Sequence, residues 1–229
     1  MLIVDQKLFI HIPKNAGVTV RHSPIFSQRI IDAKPETHIS KEYTQNLLKA
    51  MAAIGDHHGY AHARWRDFRE DLRRNYGAVT IVRNPWDRVV SRYFFAKKTI
   101  EIEKKNPPDY ADISSFEAFL EERHKWADKP FMWHRAIRGW YNQVDYVVDE
   151  NDKIRCDILR HEKLSFDLKS YFKVLDMSRP RNVTGLNKDY RTVYTPQTIQ
   201  IVADWYKKDI DTFGFDFDSC ATKNIWNKF

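Results

Sequence analysis

Two short segments constrain this 229-residue chain more than any other feature. The first is Leu8-Phe9-Ile10-His11-Ile12-Pro13-Lys14-Asn15-Ala16-Gly17-Val18-Thr19-Val20; the second is Val79-Thr80-Ile81-Val82-Arg83-Asn84-Pro85-Trp86-Asp87-Arg88-Val89-Val90-Ser91. Each is an apolar run that ends abruptly in polar residues, then a turn, then a helix-compatible pattern. In a parallel sheet, this is how a strand delivers backbone N–H groups and a basic side chain to a phosphate. With a cation at each strand exit, the pair points to a ligand carrying two separate anionic ends.

The length suits one domain over residues 1–229 and can bury a sizeable core. Hydrophobic content of 42%, with 14% aromatic residues, excludes a disordered chain. No apolar run is long enough to span a bilayer, and no charged-then-apolar leader precedes the first strand. The expectation is therefore a soluble, cytoplasmic protein without a membrane anchor. Cys156 and Cys220 lie far apart without metal-type spacing and read as two reduced thiols. The net charge of +7 and pI near 9.3 favour an anionic partner. Because that charge is spread along the chain without a basic tail, nucleic acid is not the expected partner.

Lys7–Ile12 and Ala78–Val82 read as buried strands, and Asp87–Lys98 as an amphipathic helix with Val89, Val90, Tyr93 and Phe94 on one face. Ser114 or Ser115 suits the N-cap of a helix through Phe116, Phe119 and Leu120. Gln143–Val148 and Ile154–Leu159 read as short strands joined by a polar turn, and Lys163–Leu175 as a helix. Thr195 as N-cap, Pro196 at the first helical position and Gly214 as C-terminal stop frame a final helix. Alternating strands and helices with phosphate-type turns predict an α/β fold, a P-loop-like three-layer sandwich whose mainly parallel central sheet is flanked by helices.

In the first segment, Ala16 and Gly17 let the backbone approach an anion closely, Thr19 offers a hydroxyl, and Lys14 is a mobile point charge. The Walker pattern G-x-x-x-x-G-K-[ST] is absent. In the second, Arg83 is held extended before Asn84-Pro85, and Ser91 lies two helical turns further on; a guanidinium with a hydroxyl suits a phosphate. An ion pair of Arg83 with Asp87 or another surface carboxylate is the plainer reading of the same residue.

These residues resemble a known family. His11-Ile12-Pro13-Lys14-Asn15-Ala16-Gly17 looks like the 5′-phosphosulfate loop of sulfotransferases related to heparan sulfate 2-O-sulfotransferase. Val82 to Arg88, with Ser91, looks like that family's 3′-phosphate-binding strand and helix. Ile158 to Leu164 is similar to a later strand-to-helix segment, where an aromatic residue is more usual than His161. Asn187 to Arg191, with Tyr194-Thr195-Pro196, resembles the loop and helix that close over the nucleotide. The similarity runs from about Lys7 to Phe215 and is weakest over Thr99–Arg135.

The resemblance implies a donor, 3′-phosphoadenosine 5′-phosphosulfate (PAPS), and metal-independent transfer to an acceptor hydroxyl, of a carbohydrate or a small molecule. It implies donor contacts from Pro13, Lys14, Asn15, Ala16, Gly17, Val18 and Thr19, from Arg83 and Ser91, and from Lys188, Tyr190 and Arg191. Val18 stands where a hydroxyl residue is common. Tyr60 to Phe68 resembles the segment that presents the catalytic histidine, and His62 falls on that position, with Lys14 as its partner in the chemistry. An imidazole titrates near neutrality and can take the acceptor's proton. His57, His58 and Arg64 are candidates for touching the acceptor. His58 and His62 also stand at the i, i+4 spacing of a helical metal site, but no third ligand has comparable spacing. A P-loop-like kinase and a basic nucleic-acid or polysaccharide binding module are the rival classes.

Overall fold

A computed structural model describes residues 5–54, 59–102, 111–130, 139–174 and 189–226. Four strands form its sheet: β1 (Lys7–Ile10), β2 (Ile30–Ile31), β3 (Ala78–Val82) and β4 (Cys156–Arg160). They lie in the order β2-β1-β3-β4, and every pairing is parallel. Leu8 faces Ala78, and Thr80 in turn faces Ile158, so β1, β3 and β4 run in step.

Period-two alternation gives the sheet two apolar faces. Phe9, Val79, Ile81 and Leu159 point into one cluster, closed by Val20 of α1 (Gly17–Arg21) and by Leu168 and Phe172 of α7 (Leu164–Phe172). Leu8, Ile10, Val82 and Ile158 point into the other. That larger layer draws on α2 (Lys41–Ile54), α4 (Pro85–Lys97), α5 (Phe116–Trp126), α6 (Val144–Val147), α8 (Pro196–Trp205) and α9 (Lys207–Phe213). A short helix α3 (Glu70–Asn75) precedes β3. Sheet and two helical layers make the α/β sandwich that the sequence predicts, and the buried aliphatics of β1 and β3 each contribute roughly 1.5–3 kcal/mol.

The strand order positions the site. After β1 the chain moves to one side to form β2, then crosses back to form β3 on the other side of β1. In open parallel sheets such a switch leaves a crevice beyond the carboxyl ends of the two central strands. Here those ends are Ile10 and Val82, the starts of the two polar turns.

Three elements differ from the sequence reading. Gln143–Val148 is not a strand; residues Val144–Val147 are helical, and only Val148 pairs, antiparallel, with Ile154. The cause is tertiary: the Asp209 carboxylate accepts from the N–H groups of Gln143 and Val144, both at 2.9 Å, and caps the turn from another helix. The final helix divides at Tyr206 (φ −104°, ψ 24°), whose buried hydroxyl accepts from Arg92 Nη1 at 3.3 Å. The helix after β4 ends at Phe172, followed by Lys173 in the left-handed region. Gly214 has φ +66° and closes α9 as expected. Among the described residues no helix is long and apolar enough to cross a membrane.

Candidate active site

The turn after β1 is built on two non-glycine residues in the left-handed region, Lys14 (φ 69°) and Ala16 (φ 61°). Each costs about 1 kcal/mol, and interactions on both sides hold the pair. Asn15, between them, turns inward and is 1% exposed. Its Nδ2 donates to the Ile81 carbonyl at 2.8 Å and to Gln143 Oε1 at 2.6 Å. Arg88, equally buried, donates from Nε to the Pro13 carbonyl at 3.2 Å. Asn15 therefore ties the loop to β3, and Pro13 ties it to α4. Thr19 is buried in α1, its N–H donating to the Ala16 carbonyl at 2.9 Å, while Ala16 and Val18 are partly exposed.

Gly17 is required by a contact. A Cβ there would stand 2.0 Å from the His11 imidazole. That ring, 6% exposed, lies beneath the loop and 4.4 Å from the ring of His62. Burial above all, and then the neighbouring His62, Arg21 and His22, hold His11 well below the usual imidazole range, so it is neutral.

His62 ends a tight turn over Gly59–His62 and is partly exposed. Its Nδ1 is 2.9 Å from the His11 carbonyl oxygen. A carbonyl only accepts, so Nδ1 carries the hydrogen and, in the neutral ring, Nε2 is the nitrogen without one. Nearby, Arg64 grips Asp67 with Nε and Nη2 at 2.9 and 2.8 Å.

Lys14 Nζ sits 4.2 Å above the Phe95 ring centroid. Its amine is pushed down to about 7, first by burial and then by Arg83, Arg92 and Lys98. No carboxylate pairs with it among the described residues. A cation that lacks a carboxylate partner and stands among other cations suits an anion site.

At the end of β3, Arg83 donates from Nε and Nη2 to the two oxygens of Asp87, both at 2.7 Å, and from Nη1 to the Lys14 carbonyl at 2.9 Å. The plainer reading of Arg83, an ion pair with a nearby carboxylate, is thus present, with Asp87 as the partner. Asn84 caps α4 through Oδ1, accepting from Trp86 N at 3.0 Å, and its own N–H donates to Glu162 Oε1 at 2.7 Å. Ser91 lies one turn beyond Asp87 on the same face of α4 and is partly exposed.

Asp87, His161 and Glu162 bring ligand-type atoms within 4.8 Å of one another. Arg83 takes both Asp87 oxygens and Asn84 takes one from Glu162, so this group is the far side of the arginine's ion-pair network. Burial, then Arg83, keeps His161 well below its usual range.

The segment Tyr190–Val193 stands beside the start of α4. Tyr190 packs edge-on against Phe217 and donates its hydroxyl to the Phe217 carbonyl, while Arg191 pairs with Asp189 at 2.8 Å and Asp218 at 3.4 Å. Tyr194 Oη donates to the Trp86 carbonyl at 2.9 Å. His57, His58 and Lys188 lie outside the described residues.

The structure thus brings together Lys14, Arg83 and the loop at the switch point, with His62 alongside through His11. Sequence reasoning missed Arg88, Gln143, Asp209 and His11. Of these, His11 and Arg88 lie within the two motifs, whereas Gln143 and Asp209 carried no local signal.

An α/β fold with two basic strand exits at its switch point has the crevice in which open parallel sheets place their ligands. The class is narrowed by comparison: the sulfotransferase family matches residues 5–216, nearly the whole chain. The chain belongs to the sulfotransferase family and is an enzyme of sulfuryl transfer. Members of that family generally draw on PAPS as donor. It is similar to a sulfotransferase from Alicyclobacillus acidocaldarius, at 16% identity and a TM-score of 0.44, over 93% of this chain and 97% of the other. No curated protein matches the chain in sequence.

Proposed function

We propose that this enzyme moves a sulfuryl group from PAPS to the hydroxyl of a carbohydrate or small-molecule acceptor in the cytoplasm, with His62 as base. The observation that carries this reading is the junction of the two strand exits, where Arg83 reaches the Lys14 carbonyl at 2.9 Å and Lys14 lacks a carboxylate partner among the described residues.

Each residue then has one task. The N–H groups of the Lys14–Val18 turn and the Lys14 ammonium bind the 5′ end, and Arg83 with Ser91 binds the 3′-phosphate. Lys188, Tyr190 and Arg191 border the nucleotide. His62 Nε2 takes the proton of the acceptor hydroxyl as that oxygen attacks sulfur from the side opposite the departing oxygen. As the bond from sulfur to the 5′-phosphate oxygen breaks, Lys14 and the turn stabilise the charge left on the phosphate. Contact with the acceptor is the task of Arg64, His57 and His58. No step calls for a metal.

Calorimetric titration with adenosine 3′,5′-bisphosphate, followed by transfer of labelled sulfate from PAPS to a panel of hydroxyl acceptors, tests the reading. Micromolar binding and transfer that disappears in Lys14→Ala support it. Absence of nucleotide binding together with strongly salt-dependent binding to a polyanion would replace it with a binding module.

A further inference from the structure

Gln143 is remote in sequence from both motifs, yet its amide sits between them. Oε1 accepts from Asn15 Nδ2 at 2.6 Å and from the Arg83 N–H at 2.9 Å. Nε2 donates to the Arg83 carbonyl at 2.8 Å and to Asp209 Oδ2 at 3.3 Å. A primary amide has two acceptor lone pairs and two N–H donors, so all four are in use. Gln143 and Asp209 are both 0% exposed. Asp209 also takes the backbone N–H groups of Gln143 and Val144, both at 2.9 Å, and so fixes the residue at main chain and side chain together.

The bonds fall where they matter. Gln143 engages both the N–H and the C=O of Arg83, which fixes the peptide units from which the guanidinium projects. At its other side it holds Asn15, the residue between the two left-handed positions of the loop. Neither strand exit can shift relative to the other without breaking charge-free hydrogen bonds in a dry environment, at about 1–3 kcal/mol for each group left unsatisfied.

We propose that Gln143, held by Asp209, is a positioning residue that sets the spacing between the Lys14 loop and Arg83, and thereby selects ligands with two anionic groups over ligands with one. This rests on the reading above, in which the donor bridges both strand exits. A ligand that engages two sites gains from the second only when the sites stand at its own span. Loosening the spacing therefore penalises the two-ended ligand and spares each single-ended one.

The test is calorimetric titration of the whole protein with adenosine 3′,5′-bisphosphate, adenosine 5′-monophosphate and adenosine 3′-monophosphate. Wild type is compared with Gln143→Met, which keeps length and removes all four bonds, and with Asp209→Asn. Gln143→Met is expected to weaken the bisphosphate about tenfold and each monophosphate less than about twofold; Asp209→Asn shifts the same ratio in the same direction by about threefold. Should Gln143→Met not fold, Asp209→Asn, judged by the same ratio, decides. A wild type that prefers the bisphosphate, alongside folded variants that keep that preference or lose all three nucleotides equally, overturns the proposal alone. A wild type without that preference overturns the donor reading and the proposal with it.

Discussion

Arg83 Nη1 donates to the main-chain oxygen of Lys14 at 2.9 Å, joining two motifs that lie 69 residues apart. The same guanidinium spends two more donors on Asp87. Of its five N–H groups, three are committed and two remain to meet a ligand. Asp87 therefore aims the arginine without exhausting it.

Arg83→Lys keeps the charge and discards the fork. The loop carbonyl and Asp87 cannot then be held together with a ligand phosphate. Loss of roughly 1.5–3 kcal/mol of charge-assisted bonding predicts that adenosine 3′,5′-bisphosphate binds about ten- to a hundredfold more weakly. Calorimetry measures it directly, and an unchanged dissociation constant would mean that the fork plays no part in the grip.

Lys14 has a folded-state value near 7, against an ordinary 10.5. Between those values the unfolded chain holds more protons than the folded one, so this residue makes stability rise with pH across that window. Below about 7 its full penalty is present. Lys14→Met is expected to stabilise the protein at pH 6 by an amount on the order of a few kcal/mol and to lose that advantage as pH approaches 10, while sulfuryl transfer disappears. Urea melts at pH 6 and pH 9 check the first part. For the wild type, binding of a dianion draws a proton onto Lys14, so affinity for the bisphosphate falls as pH rises above about 7. Titrations at pH 8 in buffers of different ionisation enthalpy reveal the uptake, and Lys14→Met abolishes it.

What could be read in the sequence was local. The runs Lys7–Ile12 and Ala78–Val82 are dense in β-formers; the second appears whole as a strand and the first as far as Ile10, where the loop begins. Ser115, and Thr195 with Pro196, are self-contained caps, and they begin helices. Asp87 was equally visible as one of the carboxylates open to Arg83. What escaped was set by distant chain. Val144–Val147 alternates like a strand and becomes a helix because Asp209, 65 residues on, supplies its cap. Tyr206 breaks a helix without Gly or Pro, its ring buried against arginines of α4. Gln143 joins the two motifs only through tertiary contact, and no local pattern marks a residue whose partners lie 60 and 128 positions away.

Gly17→Ala places a methyl group 2.0 Å from the His11 ring. The ring is buried and packed against His62, so the strain has no outlet to solvent. Overpacking of this kind costs about 1–3 kcal/mol and displaces His62 from its carbonyl partner. Stability and turnover should fall together. His11→Ala in the same chain removes the obstacle, so the double variant should recover most of the stability lost in Gly17→Ala. A thermodynamic cycle of the four proteins isolates the coupling, and strictly additive losses would show that the ring does not meet the loop.

His62→Asn separates the two nitrogens of the imidazole. The asparagine amide can keep a donor where Nδ1–H meets the His11 carbonyl, at 2.9 Å in the wild type, but offers nothing basic at the Nε2 position. The turn thus keeps its tie while the proton acceptor is gone. Loss of general-base assistance lowers transfer by about 10²–10⁴. The dissociation constant for adenosine 3′,5′-bisphosphate should stay within about twofold of wild type if, as proposed, the residue serves the acceptor and not the donor. Single-turnover sulfate transfer with calorimetry on the same preparation measures both. A variant that retains wild-type transfer would remove His62 from the chemistry, and one that loses nucleotide binding as well would place it in the donor site.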